Sequence, residues 1–389
     1  MVIRMNVRFH CLKLLLMWRR FYRLLLRFAR KILRARSMWW QPNAFAAKKP
    51  YLVKRQATIR AVRAFFDAQG FDEVETPALQ QAPGMEAHLH AFKTKRLNPE
   101  RDHAETLYLH TSPEFAMKKL LVAGCEKIYQ ICHTFRNAEG SRLHACEFTM
   151  LEWYRAHAGY RDIMDDCVDL LRAVATSCGV SEFKHRGTSA DPFKDWEIIS
   201  VVEAFEKYAG IDLTAFLPPP LSSPLGEGGG LVGGEVERFA EVVRKLNIHT
   251  APDDSWDDLF FRVFLEKIEP HLGIGQPTII YDYPASMAAL ARRKPEDQRF
   301  AERFEVYVCG IELANAFGEL TDAVEQRERF VESMALKEKL YGESWGVDED
   351  FIAALAHGMP ESSGIALGID RLAMLVSDAE DIKQVLWTE

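Results

Sequence analysis

Four charged residues at widely separated positions have side chains suited to bind a phosphorylated ligand: Arg136, Glu312, Glu319 and Arg371. A guanidinium group carries a permanent charge and a rigid set of donors that matches phosphate oxygens. Carboxylates supply the hard oxygen ligands that Mg²⁺ prefers, and substrate phosphates usually complete its coordination. Each residue also has the alternative interpretation of a solvated surface charge, because most arginines and glutamates lie at the surface.

Arg136 lies between two predicted strands. Bulky residues alternate with others from Ile128 to His133, and a second alternating run covers residues 147–155. The loop between them is rich in Gly, Ser and Arg, and the returning strand carries Glu152 and Tyr154. This arrangement would form a compact phosphate site. The alternative is an ordinary hairpin with its charges in solvent.

The two glutamates lie near the ends of the return limb of a second predicted hairpin, with strands at residues 303–309 and 311–320 joined at Gly310. Their odd spacing places them on opposite faces of a regular strand. They can converge only if a bulge intervenes, for which Asn315 and Gly318 are candidates. A pair of converging carboxylates predicts Mg²⁺ binding, and the alternative is two solvated glutamates.

Arg371 is expected in the first turn of a helix that follows a strand of small residues at 364–368. We expect Asp370 to cap this helix. A positive charge at the positive end of a helix is unfavourable unless an anion lies nearby, so a bound phosphate would explain it. The alternative is a salt bridge from Arg371 to Asp370 or another carboxylate.

Several further elements are predicted to frame these residues. A helix at 56–69 ends at Gly70, and an extended segment follows and ends at Pro77, where a strand should end or lie at an edge. A strand at 107–110 leads to a helix at 115–122, with Ser112 as its N-cap. Mostly helical structure is expected at 162–208, helices at 236–246 and 256–268, and a strand at 277–284.

Length and composition narrow the class of protein. With 389 residues the chain can form one large domain or two ordinary ones. A net charge of −7 argues against a chain built throughout to wrap nucleic acid. Seven cysteines without a C-x-x-C pair indicate reduced thiols, so we expect a cytoplasmic protein without a disulfide framework or zinc site.

Two segments differ from the rest in composition. Residues 1–37 form a basic amphipathic extension whose longest apolar run is too short to cross a bilayer, so no transmembrane segment is expected. The extension could contact a membrane surface or nucleic acid, or translation could start naturally at Met38. Residues 217–234 are so rich in Pro, Gly and Ser that we interpret them as a surface insertion.

Three stretches together resemble the motifs of class II aminoacyl-tRNA synthetases. VETP with its preceding helix resembles motif 1, FRNAEG…EFTMLEWY resembles motif 2, and GIALGIDRLAML resembles motif 3. TSPEFAMKKLLVAG and GIELANAFGELTDA are most similar to the lysyl-tRNA synthetases. The resemblance implies an α+β catalytic core over residues 38–389, with a mainly antiparallel sheet flanked by helices, and a homodimer formed through motif 1.

The anticodon-binding barrel of lysyl-tRNA synthetases has no counterpart ahead of motif 1, since such a barrel needs on the order of 100 residues of short strands. The chain therefore resembles the free-standing lysyl-tRNA synthetase paralogues that ligate (R)-β-lysine to elongation factor P. This resemblance implies an ATP- and Mg²⁺-dependent ligase, elongation factor P as acceptor and no stable tRNA binding. A lysine-activating enzyme that charges tRNA or another amine, and a non-catalytic regulatory paralogue, remain alternatives.

The resemblance also implies roles for individual residues. Arg136 and Arg371 would hold the α- and γ-phosphates of ATP, and Glu312 and Glu319 would bind Mg²⁺ or orient the substrate amino groups. Substrate contacts are implied for Ser112, Glu114, Tyr154, Asn315, Glu319 and Ala366. ATP contacts are implied for Arg136, Glu139, His144, Glu312, Leu313, Gly368 and Arg371.

The sequence departs from the family at three points. Where the family has RNEE or RNxE, this chain has Arg136-Asn137-Ala138-Glu139. Where the family has HNPEF, Ala145 and Cys146 stand in place of Asn and Pro. Both changes could weaken ATP binding. Ala366 replaces a glycine of lysyl-tRNA synthetases, which fits a pocket for the displaced amino group of β-lysine. The residues alone leave the choice between α- and β-lysine, and the acceptor, open.

Overall fold

The computed structural model describes residues 38–97, 104–217 and 233–388. The predicted basic extension 1–37 and most of the predicted insertion, residues 218–232, lie outside the described residues. The described residues divide into two compact units, one comprising residues 38–50 and 388 and the other lying within Tyr51–Trp387. In the smaller unit, the described residues include a turn and the first part of a helix, and all elements of the site belong to the larger unit.

An eight-stranded sheet forms the centre of the larger unit, in the order β1-β5-β6-β13-β12-β11-β10-β9. The edge strands β1 and β9 pair parallel to their neighbours, and all other pairs are antiparallel. The bounds are β1 Asp72–Glu73, β5 Lys127–Phe135, β6 Glu147–Ala156, β9 Glu197–Ser200, β10 Thr278–Pro284, β11 Phe300–Val308, β12 Ile311–Gly318 and β13 Ser362–Gly368.

Smaller sheets and helices surround this sheet. A three-stranded sheet contains β2 Leu79–Gln80, β3 Phe92–Leu97 and β4 Ala104–Leu109, and a hairpin contains β7 Phe183–His185 and β8 Thr188–Ala190. The helices are α1 Pro42–Ala68, α2 Glu114–Val122, α3 Tyr160–Cys178, α4 Val201–Ala204, α5 Gly233–Lys245, α6 Trp256–Val263, α7 Ala323–Tyr341, α8 Glu349–Gly358 and α9 Ile369–Ser377. The predicted α+β class with a mainly antiparallel sheet is confirmed, and the described residues contain no closed barrel.

The two faces of the central sheet have different environments because side chains alternate along each strand. On β6, Leu151 and Trp153 belong to the main apolar core with residues of α1 and α3, whereas Glu152 and Tyr154 face a cleft. Phe66 of α1 stacks on the Tyr129 ring at a centroid distance of 4.6 Å. The sheet therefore has one face sealed by helices and one face free to form a site.

Most predicted elements agree with the structure. Both hairpins form, and the turn of the second has positive φ at Cys309 and Gly310, as a two-residue hairpin loop requires. The segment before Pro77 contains only the two-residue edge strand β1. The prediction of mostly helical structure over 162–208 holds for α3 and for residues 201–208, but it is wrong between them, where β7, β8 and β9 lie. Arg186 and Gly187 both adopt positive φ and form the β7–β8 turn, a signal missed in the sequence.

No helix among the described residues is long and apolar enough to cross a membrane.

Candidate active site

The free face of the sheet forms the floor of a cleft of about 1210 Å³. All the predicted site residues line it: Ser112, Glu114, Arg136, Glu139, His144, Tyr154, Glu312, Leu313, Asn315, Glu319, Ala366, Gly368 and Arg371. They come from β6, β12, β13, α2 and α9, from the loop that follows β5 and from the segment before α2. The structure therefore brings together residues separated by more than half of the sequence, while their individual binding roles stay predictions.

A bulge in β12 places Glu312 and Glu319 on the same side of the sheet. Tyr307 pairs with Glu312 and Val306 pairs with Ala314, so Leu313 is the extra residue. The prediction that a bulge is needed is confirmed, but it lies at Leu313 rather than at Asn315 or Gly318. Beyond the bulge the normal alternation continues, and Asn315 and Glu319 also face the cleft.

Strand pairing orders the cleft along one direction. Gly364 pairs with Tyr154 and Gly368 pairs with Met150, so the two glycines mark opposite ends of the floor. Four residues of strand separate them, which corresponds to about 13 Å. We call the end near Gly364 the acidic end, formed by Glu114, Lys118, Glu152 and Glu319. The end near Gly368 is the arginine end, formed by Arg136, His144, Glu312 and Arg371.

At the acidic end, Glu152 is 1% exposed and accepts two hydrogen bonds. The Ser112 hydroxyl donates to its Oε1 at 2.6 Å, and the Tyr154 hydroxyl donates to its Oε2 at 2.9 Å. Burial, together with the charge of Glu114, raises the pKa of Glu152 to about 8. Ser112 also accepts from the Glu114 backbone N–H at 3.0 Å, as a capping hydroxyl does, but the N-cap position itself is Pro113, one residue later than predicted.

A buried lysine joins the other two carboxylates of this end. Lys118 Nζ lies 2.5 Å from Glu114 Oε1, contacts Glu319 Oε2, and has no exposed side-chain surface. Burial lowers the pKa of Lys118, but the two carboxylates outweigh burial and raise it above its usual value. Burial raises the pKa of Glu319 to about 7, although Lys118 opposes the shift.

The floor of the acidic end has no room for side chains larger than hydrogen at Gly364. A Cβ there would lie 2.2 Å from the Tyr154 ring and 2.8 Å from Glu319 Oε1. Two residues further along β13, the methyl group of Ala366 lies on the cleft side, since Ala366 pairs with Glu152 on one neighbour and Asn315 on the other. The methyl group of Ala366 therefore contributes to the middle of the floor.

At the arginine end, Arg136 follows β5 directly. Its guanidinium lies 5.3 Å from the centroid of the Phe148 ring, and its Nε donates to the Thr111 carbonyl at 3.4 Å. Ring stacking of this kind fixes the plane of a guanidinium and leaves its outer N–H groups available. Arg136 is therefore oriented without being neutralised by an ion pair in the described structure.

Arg371 is held by two backbone oxygens and one histidine, and the longer of the bonds runs from its Nε to the Leu143 carbonyl at 3.5 Å. Its Nη1 donates to the Glu312 carbonyl at 2.6 Å, and its Nη2 lies 2.6 Å from His144 Nε2. Burial, Arg371 and Arg136 lower the pKa of His144 to about 4, so the imidazole is neutral at neutral pH and accepts the hydrogen bond. The Glu312 carboxylate lies farther away, at 4.0 Å.

The prediction that Asp370 caps α9 is wrong. Of the two kinds of partner that the alternative offered Arg371, the structure has another carboxylate, Glu312 at 4.0 Å, and not Asp370. Asp370 is 1% exposed, accepts from the Thr149 backbone N–H at 2.6 Å, and forms an ion pair with Arg55 of α1. The carboxylate that we predicted to cap α9 is therefore bound instead by Arg55, which lies on another helix.

Among the described residues there is no group of three or more acidic, His or Cys side chains that could hold a metal alone. Glu312 fits a Mg²⁺ that arrives with a polyphosphate, because 41% of its side chain is exposed at the cleft. Glu319 does not fit, because Lys118 occupies its Oε2. The structure thus favours the other predicted role of Glu319, which is to orient substrate amino groups.

The departures from the family lie in the loop after Arg136. Ala138 adopts a φ of 62°, and its N–H donates to the side-chain oxygen of Asn137 at 2.8 Å. Ala145 is buried in an apolar cluster with Met374 and Ile382. Glu139 lines the cleft and Ala138 is exposed. An effect of these substitutions on ATP binding stays a prediction.

Sequence reasoning missed several residues of the cleft. Glu86 lines it from the loop between β2 and β3, and burial raises the pKa of its carboxyl. Two hydrogen bonds to backbone carbonyls hold this loop in place. The Trp345 indole donates to the Gly84 carbonyl and Lys337 donates to the Leu89 carbonyl, both at 2.7 Å. Lys118 was missed as well, although its position four residues after Glu114 is a helical signal for an ion pair.

Comparison with known proteins identifies relatives over most of the chain. The family described as tRNA synthetases class II (D, K and N) matches residues 31–387. The elongation factor P–(R)-β-lysine ligase of Edwardsiella ictaluri is 40% identical over 349 residues, which cover 89% of this chain and 96% of that protein. Proteins of the same name from Enterobacter sp. and Hamiltonella defensa are 39% and 40% identical over the same shares.

The fold and the cleft agree with this relationship. Both motif arginines line the cleft at the free face of the mainly antiparallel sheet. Arg136 follows β5, and Arg371 lies in the first turn of α9. The family match extends well beyond the three short motifs and includes the segments that form the acidic end. The chain therefore belongs to the family of class II tRNA synthetases.

Proposed function

We propose that this protein is an ATP-dependent ligase that activates (R)-β-lysine and transfers it to a lysine ε-amino group of elongation factor P. The observation that carries the proposal is a single cleft with buried carboxylates at one end and unneutralised arginines at the other. The carboxylates suit the ammonium groups of a diamino acid, and the arginines suit a triphosphate. The names of the relatives support the choice of β-lysine and elongation factor P.

The first step is adenylate formation. With its amino groups at the acidic end, the substrate directs its carboxylate toward the middle of the cleft. A carboxylate oxygen attacks the α-phosphorus of ATP in line, the new O–P bond forms, and the bond to pyrophosphate breaks. Arg136 and Arg371 stabilise the negative charge that develops on the phosphoryl oxygens. Glu312 would hold a Mg²⁺ that arrives with the triphosphate, and this ion would supply further charge neutralisation.

The second step is acyl transfer. The ε-amino nitrogen of the acceptor lysine attacks the carbonyl carbon of the adenylate, AMP leaves, and the nitrogen loses a proton. This chemistry needs no nucleophile from the ligase. No cysteine lines the described cleft, and the Ser112 hydroxyl is already a donor to Glu152.

Pyrophosphate exchange and intact-protein mass spectrometry test the two steps separately. We expect exchange with (R)-β-lysine to exceed exchange with α-lysine, and purified elongation factor P to gain one β-lysyl group in the presence of ATP and Mg²⁺. An acceptor variant with its target lysine replaced by arginine is the control. Preference for α-lysine together with acylation of tRNA would contradict the proposal, and absence of exchange with either amino acid would exclude both enzymatic functions.

Assembly and location complete the proposal. By the resemblance, the protein acts in the cytoplasm as a homodimer through α1 and β1, without stable tRNA binding. Size-exclusion chromatography with light scattering should give the molar mass of a dimer. Filter binding with total tRNA should detect no stable complex.

A further inference from the structure

We infer that Lys118 is a positioning residue that adjusts the charge of the acidic end to a substrate with two ammonium groups. The inference rests on the proposed function, because (R)-β-lysine carries two ammonium groups. Lys118 is behind the wall of the cleft: Glu114 and Glu319 line the cleft, whereas Lys118 does not and has no exposed side-chain surface. It can therefore reach the substrate only through the two carboxylates that it contacts.

The charge count follows from these contacts. Glu114, Glu152 and Glu319 are three carboxylates that line one end of one cleft. Ionising all three without a counter-ion would be strongly unfavourable, because the loss of hydration adds to their mutual repulsion. Lys118 compensates one of the three charges, and two remain for the substrate. A diammonium substrate makes the site neutral, whereas a monoammonium substrate leaves one buried negative charge unpaired.

Neighbouring charged groups have other main partners. Glu86, a further carboxylate of the cleft, acts on Glu114, but the charged group with the largest influence on its pKa is Arg136 of the arginine end. Arg292, whose charge also acts on Glu319, already pairs with Glu302 and with Glu361. Glu152 obtains its hydrogen bonds from the neutral hydroxyls of Ser112 and Tyr154. Lys118 is consequently the cation that directly contacts carboxylates of the described acidic end.

The geometry also explains why a lysine stands at this position. Residues 114 and 118 are one helical turn apart on α2, so the ammonium reaches Glu114 within its own helix and Glu319 from the end of β12. One side chain thereby fixes two carboxylates that belong to different elements. A neutral side chain of the same length would fill the space but would leave these carboxylates to repel each other.

Charge restoration in a double variant tests the inference. We expect Lys118→Met to raise KM for (R)-β-lysine in pyrophosphate exchange by about tenfold or more, with KM for ATP changed by less than about twofold. Adding Glu114→Gln to Lys118→Met returns the site to two net negative charges, so its KM should be lower than that of Lys118→Met alone. If the losses of the two single variants multiply instead, Lys118 has only a space-filling role and the inference fails.

Substrate discrimination provides a second measurement that does not require Lys118→Met to fold. Glu114→Gln alone leaves one net negative charge, so the preference for (R)-β-lysine over 3-aminohexanoic acid, which lacks the distal ammonium, should fall by about tenfold. An unchanged preference would overturn the inference. Lys119→Met is the matched control, since Lys119 on the same helix pairs with Asp350 outside the cleft.

These results separate the inference from the proposed function. Failure of the wild-type protein to exchange pyrophosphate with (R)-β-lysine contradicts the proposed function. Normal wild-type exchange with an unchanged KM in a folded Lys118→Met variant contradicts only the role of Lys118.

Discussion

At the acidic end of the cleft, a buried lysine compensates part of the carboxylate charge, whereas at the arginine end the Glu312 carboxylate lies 4.0 Å from Arg371 and the cations are left largely for the ligand to balance. Glu319 is 1% exposed and pairs with Lys118, which has no exposed surface. Arg371 has 20% of its side chain exposed and is held by the Glu312 carbonyl and a neutral His144. The first arrangement suits a small cation that must be distinguished from similar amino acids, and the second suits a polyanion that brings its own charge.

The largest effect is expected from breaking the arginine end. Arg371→Ala removes a permanent cation from the place where the proposed triphosphate gains charge in the transition state. We expect kcat for pyrophosphate exchange to fall by about 10²–10³-fold, with a much smaller change in KM for (R)-β-lysine. Arg327→Ala is the control, because Arg327 pairs with Glu349 on the surface. An equal rise of KM for both substrates would show that the two ends do not act separately.

The acidic end can be broken by one methyl group. Gly364→Ala places a Cβ against the Tyr154 ring and Glu319 Oε1. We expect KM for (R)-β-lysine to rise by about 10–100-fold, while ATP binding measured by fluorescence titration stays nearly constant. Gly346→Ala is the matched control, because a Cβ there meets nothing within 4 Å. Weaker ATP binding of similar size would mean that the substitution distorts the whole floor.

The pH dependence of binding sharpens the comparison. Glu152 has a pKa of about 8, so it is largely protonated in the empty cleft below that pH, and an ammonium ligand binds its ionised form. Because substrate amines remain protonated in this range and the ionised fraction of Glu152 rises from about 1% at pH 6 to about 50% at pH 8, KM for (R)-β-lysine should fall by up to about 50-fold over this range. Glu152→Gln should flatten this dependence. A parallel slope in KM for ATP would contradict its assignment to the acidic end.

The smallest effect is expected at His144. His144→Phe removes the acceptor for Arg371 Nη2 but keeps a ring in the same place. Loss of one hydrogen bond to a charged group corresponds to about 1.5–3 kcal/mol. Because Arg371 keeps its bonds to the Glu312 and Leu143 carbonyls, we expect the lower end of this range, a rise of about 10-fold in KM for ATP. Because the pKa of His144 is about 4, the wild-type KM for ATP should not change near pH 6.5 through this group.

Much of the fold could be predicted because its signals are local. The alternation of bulky residues predicted β5, β6, β11 and β12. The run Ser112-Pro113-Glu114 predicted the start of α2, and the Ser112 hydroxyl does bond to its first turn. The β7–β8 hairpin was missed because its turn depends on positive φ at Arg186, which is not a typical turn residue. The segment around Asp370 was misassigned because its partner, Arg55, is far away in sequence.

For the site, three things could be read from the residues alone: their types, the motif resemblance, and the need for a bulge between Glu312 and Glu319. Which carboxylates are open to a metal and which are paired depends on the packing of distant elements. The contacts of Lys118 illustrate this dependence. Its contact with Glu114 is one helical turn away and can be read from the sequence, but its contact with Glu319 depends on how α2 packs beside the end of β12. The energetic consequences of burial arise only after such packing.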